Sequence, residues 1–181
     1  MTASESPFLA GARAWIYEDN VPEECPACHY NWSTSASDAL DLITQAPSRY
    51  SQLLEGRDGM AAASDGGWNA TAYVWHLADL ARGWSERWVQ LQAQPGDLMA
   101  GWDPDELADA RNYQALPTVA ALWAIDNAVA TFVEQCSRIA PDTPFQHGDW
   151  GEGTVNDAIR WLGHEFFHHQ LDVAARAAVK S

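Results

Sequence analysis

Residues 154–172 have the sequence TVNDAIRWLGHEFFHHQLD, which opens with a helix-start signal and contains three histidines. Thr154 followed by Asp157 has the spacing of a capping box, in which each residue satisfies a backbone N–H of the first turn. The positions after it repeat apolar residues at helical spacing, so a helix is expected to begin here and to reach about Val179.

Two of the histidines, His164 and His168, are four positions apart and project from one helix face, one turn above the other. Apolar side chains continue the same stripe at Trp161, Leu171 and Ala175. A buried imidazole needs a hydrogen-bond partner or a metal, and two neighbouring imidazolium ions in a core would be costly. The pair is therefore a candidate for metal binding, although core histidines with ordinary partners are the competing interpretation.

A third histidine, His76, lies on another predicted helix, in a stripe with Ala72, Leu80 and Trp84. Three imidazoles from two facing helices would bind zinc, nickel or a similar divalent ion and leave a position for water or substrate. We therefore predict a divalent metal site, with zinc as the first candidate, at His76, His164 and His168. His169 should point about 100° away from His168. It is expected to lie at the surface or to support a metal ligand, although the alternative that His169 and not His168 is the ligand stays open.

The remaining helix signals extend the pattern to an all-α fold, an antiparallel four-helix bundle in one domain over residues 1–181. Long helices are predicted at about residues 35–56, 69–92, 117–139 and 154–179, with a short helix near 105–111. Ser35 and Asp38 form a second capping box, and Pro47 should kink or split the first helix. No strand of useful length is expected. Residues 1–33 form an irregular extension, apart from a short helix at about 7–16.

Composition narrows the classes of partner. The 10 basic and 25 acidic residues give a net charge of −15, which repels phosphate backbones and anionic headgroups, so neither nucleic acid nor membrane is expected. Without a signal segment, and with an odd count of 3 cysteines, the chain is expected in the cytoplasm.

The 10 tryptophans suggest an aromatic-lined pocket for a small molecule. The candidate wall residues are Trp75, Trp84, Trp150 and Trp161.

The N-terminal extension carries Cys25-Pro-Ala-Cys28-His29, which fits several patterns. A structural turn is the default expectation. A second metal site would need His29 or another residue to complete it. Haem attachment normally follows export, and a redox-active pair usually sits in a βαβ context that is not predicted here.

His164-Glu165-Phe-Phe-His168 also matches the H-E-x-x-H pattern of zinc peptidases, with Glu165 as general base. The extended form of that pattern requires glycine at position 171 and histidine at 174, where this chain has Leu171 and Ala174. This interpretation is therefore secondary.

Two stretches together resemble the DinB/YfiT-like superfamily of metal-binding four-helix bundles, which includes mycothiol-dependent maleylpyruvate isomerase. They are residues 68–79, WNATAYVWHLAD, and residues 154–172. The resemblance implies a metal-dependent transferase or isomerase that uses a low-molecular-weight thiol such as mycothiol on a small electrophile, often as a homodimer. In the isomerase branch a glutamate often stands where His164 is, so this chain departs from it there.

Alternatives to a thiol-dependent enzyme are a metal-dependent hydrolase and a non-catalytic, metal-stapled binding or stress-response protein. No catalytic residue is assigned from the sequence. Asp172, one turn beyond His168, is a candidate to orient an imidazole from behind.

Overall fold

The structure is a computed structural model that describes residues 23–179. The short helix expected at residues 7–16 lies outside the described residues. No helix within the described range is both long enough and apolar enough to cross a membrane.

Helices account for most of the described chain, and the predicted four-helix class is confirmed. The four long helices are α1 (Ala36–Leu54), α2 (Ala70–Ala93), α4 (Thr118–Cys136) and α5 (Val155–Arg176). Between α2 and α4 lie a short helix, α3 (Pro104–Arg111), and a 3-10 turn at Tyr113–Ala115. The helices begin where the sequence predicted them and end within a few residues of the expected positions.

Side-chain caps explain the helix starts. The Ser35 side chain accepts the backbone N–H of Asp38 at 3.1 Å before α1. At the start of α5, Thr154 Oγ1 accepts the Asp157 N–H at 3.3 Å, and the Asp157 carboxylate accepts the Thr154 N–H at 3.0 Å. Both predicted capping positions are therefore confirmed.

Pro47 lies inside α1, but the helix is continuous from Ala36 to Leu54, so the chain is not split there. The helix buries Ile43, Ala46 and Tyr50 on both sides of the proline. Burial of this apolar face offsets the loss of one backbone hydrogen bond.

Within the described residues, five short strands that the sequence pattern does not predict frame the bundle. They are β1 (Arg57–Asp58), β2 (Leu98–Met99), β3 (Pro144–His147), β4 (Gly151–Thr154) and β5 (Ala178–Val179). β2 pairs parallel to β3, β3 antiparallel to β4, and β1 antiparallel to β5. Strands of two to four residues are too short to show the alternation of apolar and polar residues on which strand prediction depends.

The bundle packs α2 against α4 and α1 against α5, with α2 also contacting α5. A glycine, Gly163, lets α5 approach α1 closely, because a Cβ there would lie 2.6 Å from the Ala39 Cβ. The buried Tyr50 hydroxyl donates to the Phe166 carbonyl oxygen at 2.7 Å and fixes the two helices along their length. These contacts hold α5 beside α2, where the candidate site lies.

Candidate metal centre

His76 lies on α2 and is buried, with 2% of its surface exposed. Its ring is 5.3 Å from the ring of His169 on α5, and the two planes are nearly perpendicular at 89°. α2 therefore meets α5 at His169, one position beyond the predicted partner His168.

A carboxylate completes this group. The ligand atoms of His76, Glu165 and His169 all lie within 4.8 Å of one another, and all three side chains are buried. Glu165 and His169 are four positions apart, so they occupy one stripe of α5. We call this group the buried triad.

Asp172 orients the His169 ring. The Asp172 carboxylate is 2.8 Å from His169 Nδ1, while His169 Nε2 lies 3.5 Å from the Glu165 Oε2. Burial opposes the charged imidazolium, but hydrogen bonds to Asp172 and Glu165 outweigh it and raise the pKa of His169. The same two carboxylates create a negative potential that favours a cation at this point.

Glu165 is itself a buried carboxylate with 4% exposure. Its Oε1 is 3.1 Å from His164 Nδ1, whereas its Oε2 has only the longer, 3.5 Å contact with His169 Nε2 among residues 23–179. Burial would raise the pKa of Glu165, but the hydrogen bonds with His164 and His169 outweigh it and lower the pKa. The result is an anionic oxygen that is buried beside two imidazoles.

Burial and the neighbouring His169 lower the pKa of His76 to about 3, so its imidazole is neutral near pH 7. A neutral imidazole is the form that binds metals. One anionic carboxylate and two imidazoles within coordinating reach fit the requirements of a zinc-like ion, whose ligands are nitrogen, oxygen and sulfur.

The predicted triad of His76, His164 and His168 is not what the structure assembles. His164 and His168 group with Cys25 and Cys28, again with all ligand atoms within 4.8 Å. The reason is that α5 has two stripes about 100° apart, a buried one that faces α2 and a half-buried one that faces the N-terminal segment. Sequence periodicity showed that the region is buried, but did not show which stripe faces α2.

Three related expectations change with this regrouping. His169, expected at the surface or in support, is buried at 5% exposure within the triad. Glu165, considered only as a peptidase base, belongs to the same triad. His29, considered as a partner of the cysteines, has a side chain that is 79% exposed and lies 3.5 Å from Glu24 instead. The Asp172 carboxylate, predicted to orient an imidazole, lies 2.8 Å from His169 Nδ1 and 3.9 Å from His168 Nε2.

A narrow aromatic cavity of about 40 Å³ opens beside His76. Among its lining residues are Trp84, Arg87, Trp102, His147, Trp150 and Trp161. Three of the four predicted wall tryptophans are therefore in place. The fourth, Trp75, lies outside this lining, and the guanidinium of Arg111 is 5.5 Å from its ring centroid.

A second, more polar cavity adjoins the triad from the other side. Among its lining residues are Trp68, Tyr73, Asp105, His168, His169 and Asp172. His76 lines both cavities, so the triad lies where they meet.

These features define a four-helix bundle with a buried carboxylate–histidine cluster between two helices. The fold is shared with YfiT from Bacillus subtilis, described as a probable metal-dependent hydrolase with an unusual four-helix bundle topology. The match has a TM-score of 0.66 and covers 90% of this chain and 97% of YfiT at 15% sequence identity. The resemblance predicted from the sequence is thus confirmed at the level of the fold. No protein-family model and no curated protein sequence matches the chain.

Proposed function

We propose that this protein is a metal-dependent enzyme that acts on a small molecule and holds a divalent ion at His76, Glu165 and His169. The buried triad is the observation that carries the proposal, because a carboxylate without a full set of hydrogen bonds is costly to bury unless a cation offsets its charge. Zinc is the first candidate, and nickel fits the same donors.

Two histidines and one glutamate are a ligand set typical of catalytic zinc sites, since three protein ligands leave a coordination position open. When bound, a divalent ion supplies Lewis acidity, which lowers the pKa of a water or thiol in the open position. With a single anionic ligand in the triad, the centre keeps a net positive charge that favours an anionic nucleophile.

The surrounding residues hold the donors in place. Asp172 engages Nδ1 of His169, which leaves Nε2 directed toward Glu165. His164 engages Oε1 of Glu165, which leaves Oε2 for the ion. Each contact thus occupies one atom of a ligand side chain and leaves its other atom to bind the ion.

Two cavities that meet at His76 support a reaction between two molecules. The aromatic cavity suits a small planar electrophile, and its buried Arg87, whose guanidinium lies 4.6 Å from the Trp84 ring centroid, suits an anionic group on it. The polar cavity suits a hydrophilic cosubstrate, for which a low-molecular-weight thiol is our first candidate. The reaction class we propose is therefore thiol-dependent transfer or isomerisation.

We propose that the nucleophile is a bound cosubstrate or water. Neither thiol of the N-terminal pair belongs to the triad, and burial raises the pKa of Cys136 to about 12. Hydrolysis by activated water is the second candidate, supported by the description of YfiT as a probable metal-dependent hydrolase.

Metal content tests the centre itself. Untagged protein and a His76→Ala/His169→Ala variant are loaded with zinc, dialysed and measured by plasma mass spectrometry. We expect the variant to hold one equivalent less than the parent. An Asp126→Asn variant, with an exposed acid on α4, is the control and should bind as the parent does. Equal metal in the His76→Ala/His169→Ala variant and the parent would contradict the proposal.

Turnover separates the two reaction classes. Zinc-loaded protein is tested with monochlorobimane and a panel of low-molecular-weight thiols, and separately with nitrophenyl esters in the absence of thiol. Conjugation that requires thiol and is lost in His76→Ala supports transfer, whereas ester cleavage that is indifferent to thiol supports hydrolysis. A protein that binds metal at the triad but turns over neither class of probe would point to the non-catalytic alternative.

A further inference from the structure

Cys25, Cys28, His164 and His168 form a second cluster of metal-binding side chains, separate from the buried triad. We infer that these four residues form a structural zinc site that fastens the N-terminal segment to α5. The inference goes beyond the proposed function, because it assigns a role to the cysteine motif that the buried triad does not use.

The backbone between the two cysteines folds into a tight turn. The Cys25 N–H donates to the Tyr30 carbonyl oxygen and the His29 N–H donates to the Cys25 carbonyl oxygen, both at 2.8 Å. His29 takes a left-handed conformation with φ of +60°, which reverses the chain and leaves its own side chain in solvent. Both thiols point inward, and each cysteine is only 6% exposed.

Backbone N–H groups surround the two sulfur atoms. Those of Ala27 and Cys28 lie near the Cys25 sulfur, and that of Tyr30 lies near the Cys28 sulfur. Hydrogen bonds from amides stabilise a thiolate, which is the metal-binding form of cysteine. The turn thus brings two sulfur atoms together, although burial raises the pKa of Cys28 to about 12, so that thiol gives up its proton only when an ion binds.

Two imidazoles face these sulfurs from α5. The Cys25 Sγ is 3.7 Å from His168 Nδ1. Nδ1 of His164 is engaged by Glu165, and its Nε2 is buried without a hydrogen-bond partner of standard geometry in the described part of the chain. The Cys25 sulfur lies within 4.8 Å of a ring nitrogen of the same His164.

The donor set favours zinc. Ligand atoms of a tetrahedral zinc site are roughly 3.3–3.8 Å apart, so a cluster already within 4.8 Å needs only a small contraction. Two thiolates and two neutral imidazoles neutralise the ion, and their protons pass to solvent on binding. Four protein ligands leave no open position, which is the pattern of structural rather than catalytic sites.

The segment that carries the cysteines is tied to α5 by other contacts as well. Arg160 on α5 donates to the carbonyl oxygens of Trp32 and Thr34, the latter at 3.0 Å. The Tyr30 hydroxyl donates back to the Arg160 carbonyl oxygen at 3.0 Å. These contacts position both halves of the site before any ion binds, so little ordering entropy is lost on binding.

Cobalt substitution tests the site without relying on any variant. Reduced, metal-free protein is titrated with Co²⁺, and absorption is recorded in the near ultraviolet, where thiolate-to-cobalt charge transfer appears, and in the visible. We expect a charge-transfer band that saturates by two equivalents, when both proposed sites are filled, and the intense visible bands of tetrahedral coordination. Zinc should then displace the cobalt and abolish the band.

Matched variants locate the ligands. Cys25→Ser/Cys28→Ser should abolish the charge-transfer band and lower zinc content by one equivalent, while Cys136→Ser, which removes the cysteine outside the cluster, should change neither. His164→Ala/His168→Ala should weaken or shift the band, whereas His76→Ala should leave it intact. Far-ultraviolet circular dichroism checks that each variant is folded.

The outcomes separate this inference from the proposed function. Zinc lost with the cysteine pair but unchanged in His76→Ala would support the structural site and contradict the catalytic one. A charge-transfer band that is absent in the reduced parent protein, or that survives the cysteine substitutions, would overturn the inference. A disulfide between Cys25 and Cys28 that persists under reducing conditions would overturn it as well.

Discussion

At the scale of single residues, Glu165 links the two clusters. Its two carboxylate oxygens divide between His164, 3.1 Å from Oε1, and His169, 3.5 Å from Oε2. His164 belongs to the cysteine cluster and His169 to the buried triad. One buried carboxylate thus fixes the orientation of ligands on both sides, and a change on one side can reach the other through a single hydrogen bond.

Asp172 offers a test of how the triad is oriented. In Asp172→Asn the side chain keeps its size but loses the charge that stabilises and directs the His169 ring. We expect zinc affinity at the triad to fall about 10- to 100-fold, the usual effect of losing a carboxylate behind a histidine ligand. Competition with a chromophoric chelator measures the change. Asp126→Asn serves as the control, and an unchanged affinity in Asp172→Asn would contradict the role given to Asp172.

At the scale of elements, α5 determines the site because two of its adjacent stripes, one buried and one half-buried, contact the rest of the protein. One stripe carries Glu165 and His169 toward α2, and the other carries His164 and His168 toward the cysteine turn. A helix in a simple bundle buries one face, which is why the sequence pattern groups His164 and His168 with His76, whereas Glu165 and His169 lie nearest His76 in the structure. The N-terminal segment covers the second face, and nothing in local periodicity signals such a cover.

Other features of the elements could be predicted because their signals are local. The caps at Ser35 and Thr154 follow from side-chain chemistry within four residues, and both are present. The strands could not be predicted, because β3 and β4 depend on a turn and on pairing with the distant β2. Likewise, the approach of Cys25 to His168 joins residues 143 positions apart, which only the folded chain reveals.

Gly163 tests the close packing of α5 against α1. A Cβ in Gly163→Ala would lie 2.6 Å from the Ala39 Cβ and 3.0 Å from the Tyr30 hydroxyl oxygen, closer than packed atoms allow. We expect the free energy of unfolding to fall by about 1–3 kcal/mol despite the better helix propensity of alanine. Urea denaturation measures the change. Ala39→Gly in the same chain should restore part of the loss, and additive effects of the two substitutions would argue against this contact.

At the scale of the whole molecule, burial of ionisable groups makes stability depend on pH. His147 lies outside both clusters, and its ring stacks on Trp150 with 4.1 Å between centroids. The backbone N–H of Asp149 donates to its Nδ1 at 3.2 Å. Burial, followed by the charge of Arg87, lowers the pKa of His147 from 6.5 to about 4. In the native protein this imidazole is therefore neutral at pH values where an unfolded chain would already carry the proton.

Because the unfolded chain takes up this proton near pH 6.5 and the folded protein only near pH 4, protonation favours unfolding between these values. The stability that depends on neutral His147 is complete above pH 6.5 and is lost as the pH falls toward 4. At about 1.4 kcal/mol per pKa unit, the loss amounts to about 3 kcal/mol. In His147→Gln we expect a shallower decline of urea-unfolding free energy between these two pH values. His29→Gln, at an exposed position, should follow the parent, and metal release on acidification is common to all three proteins. A decline in His147→Gln as steep as in the parent would assign the acid sensitivity to other buried groups.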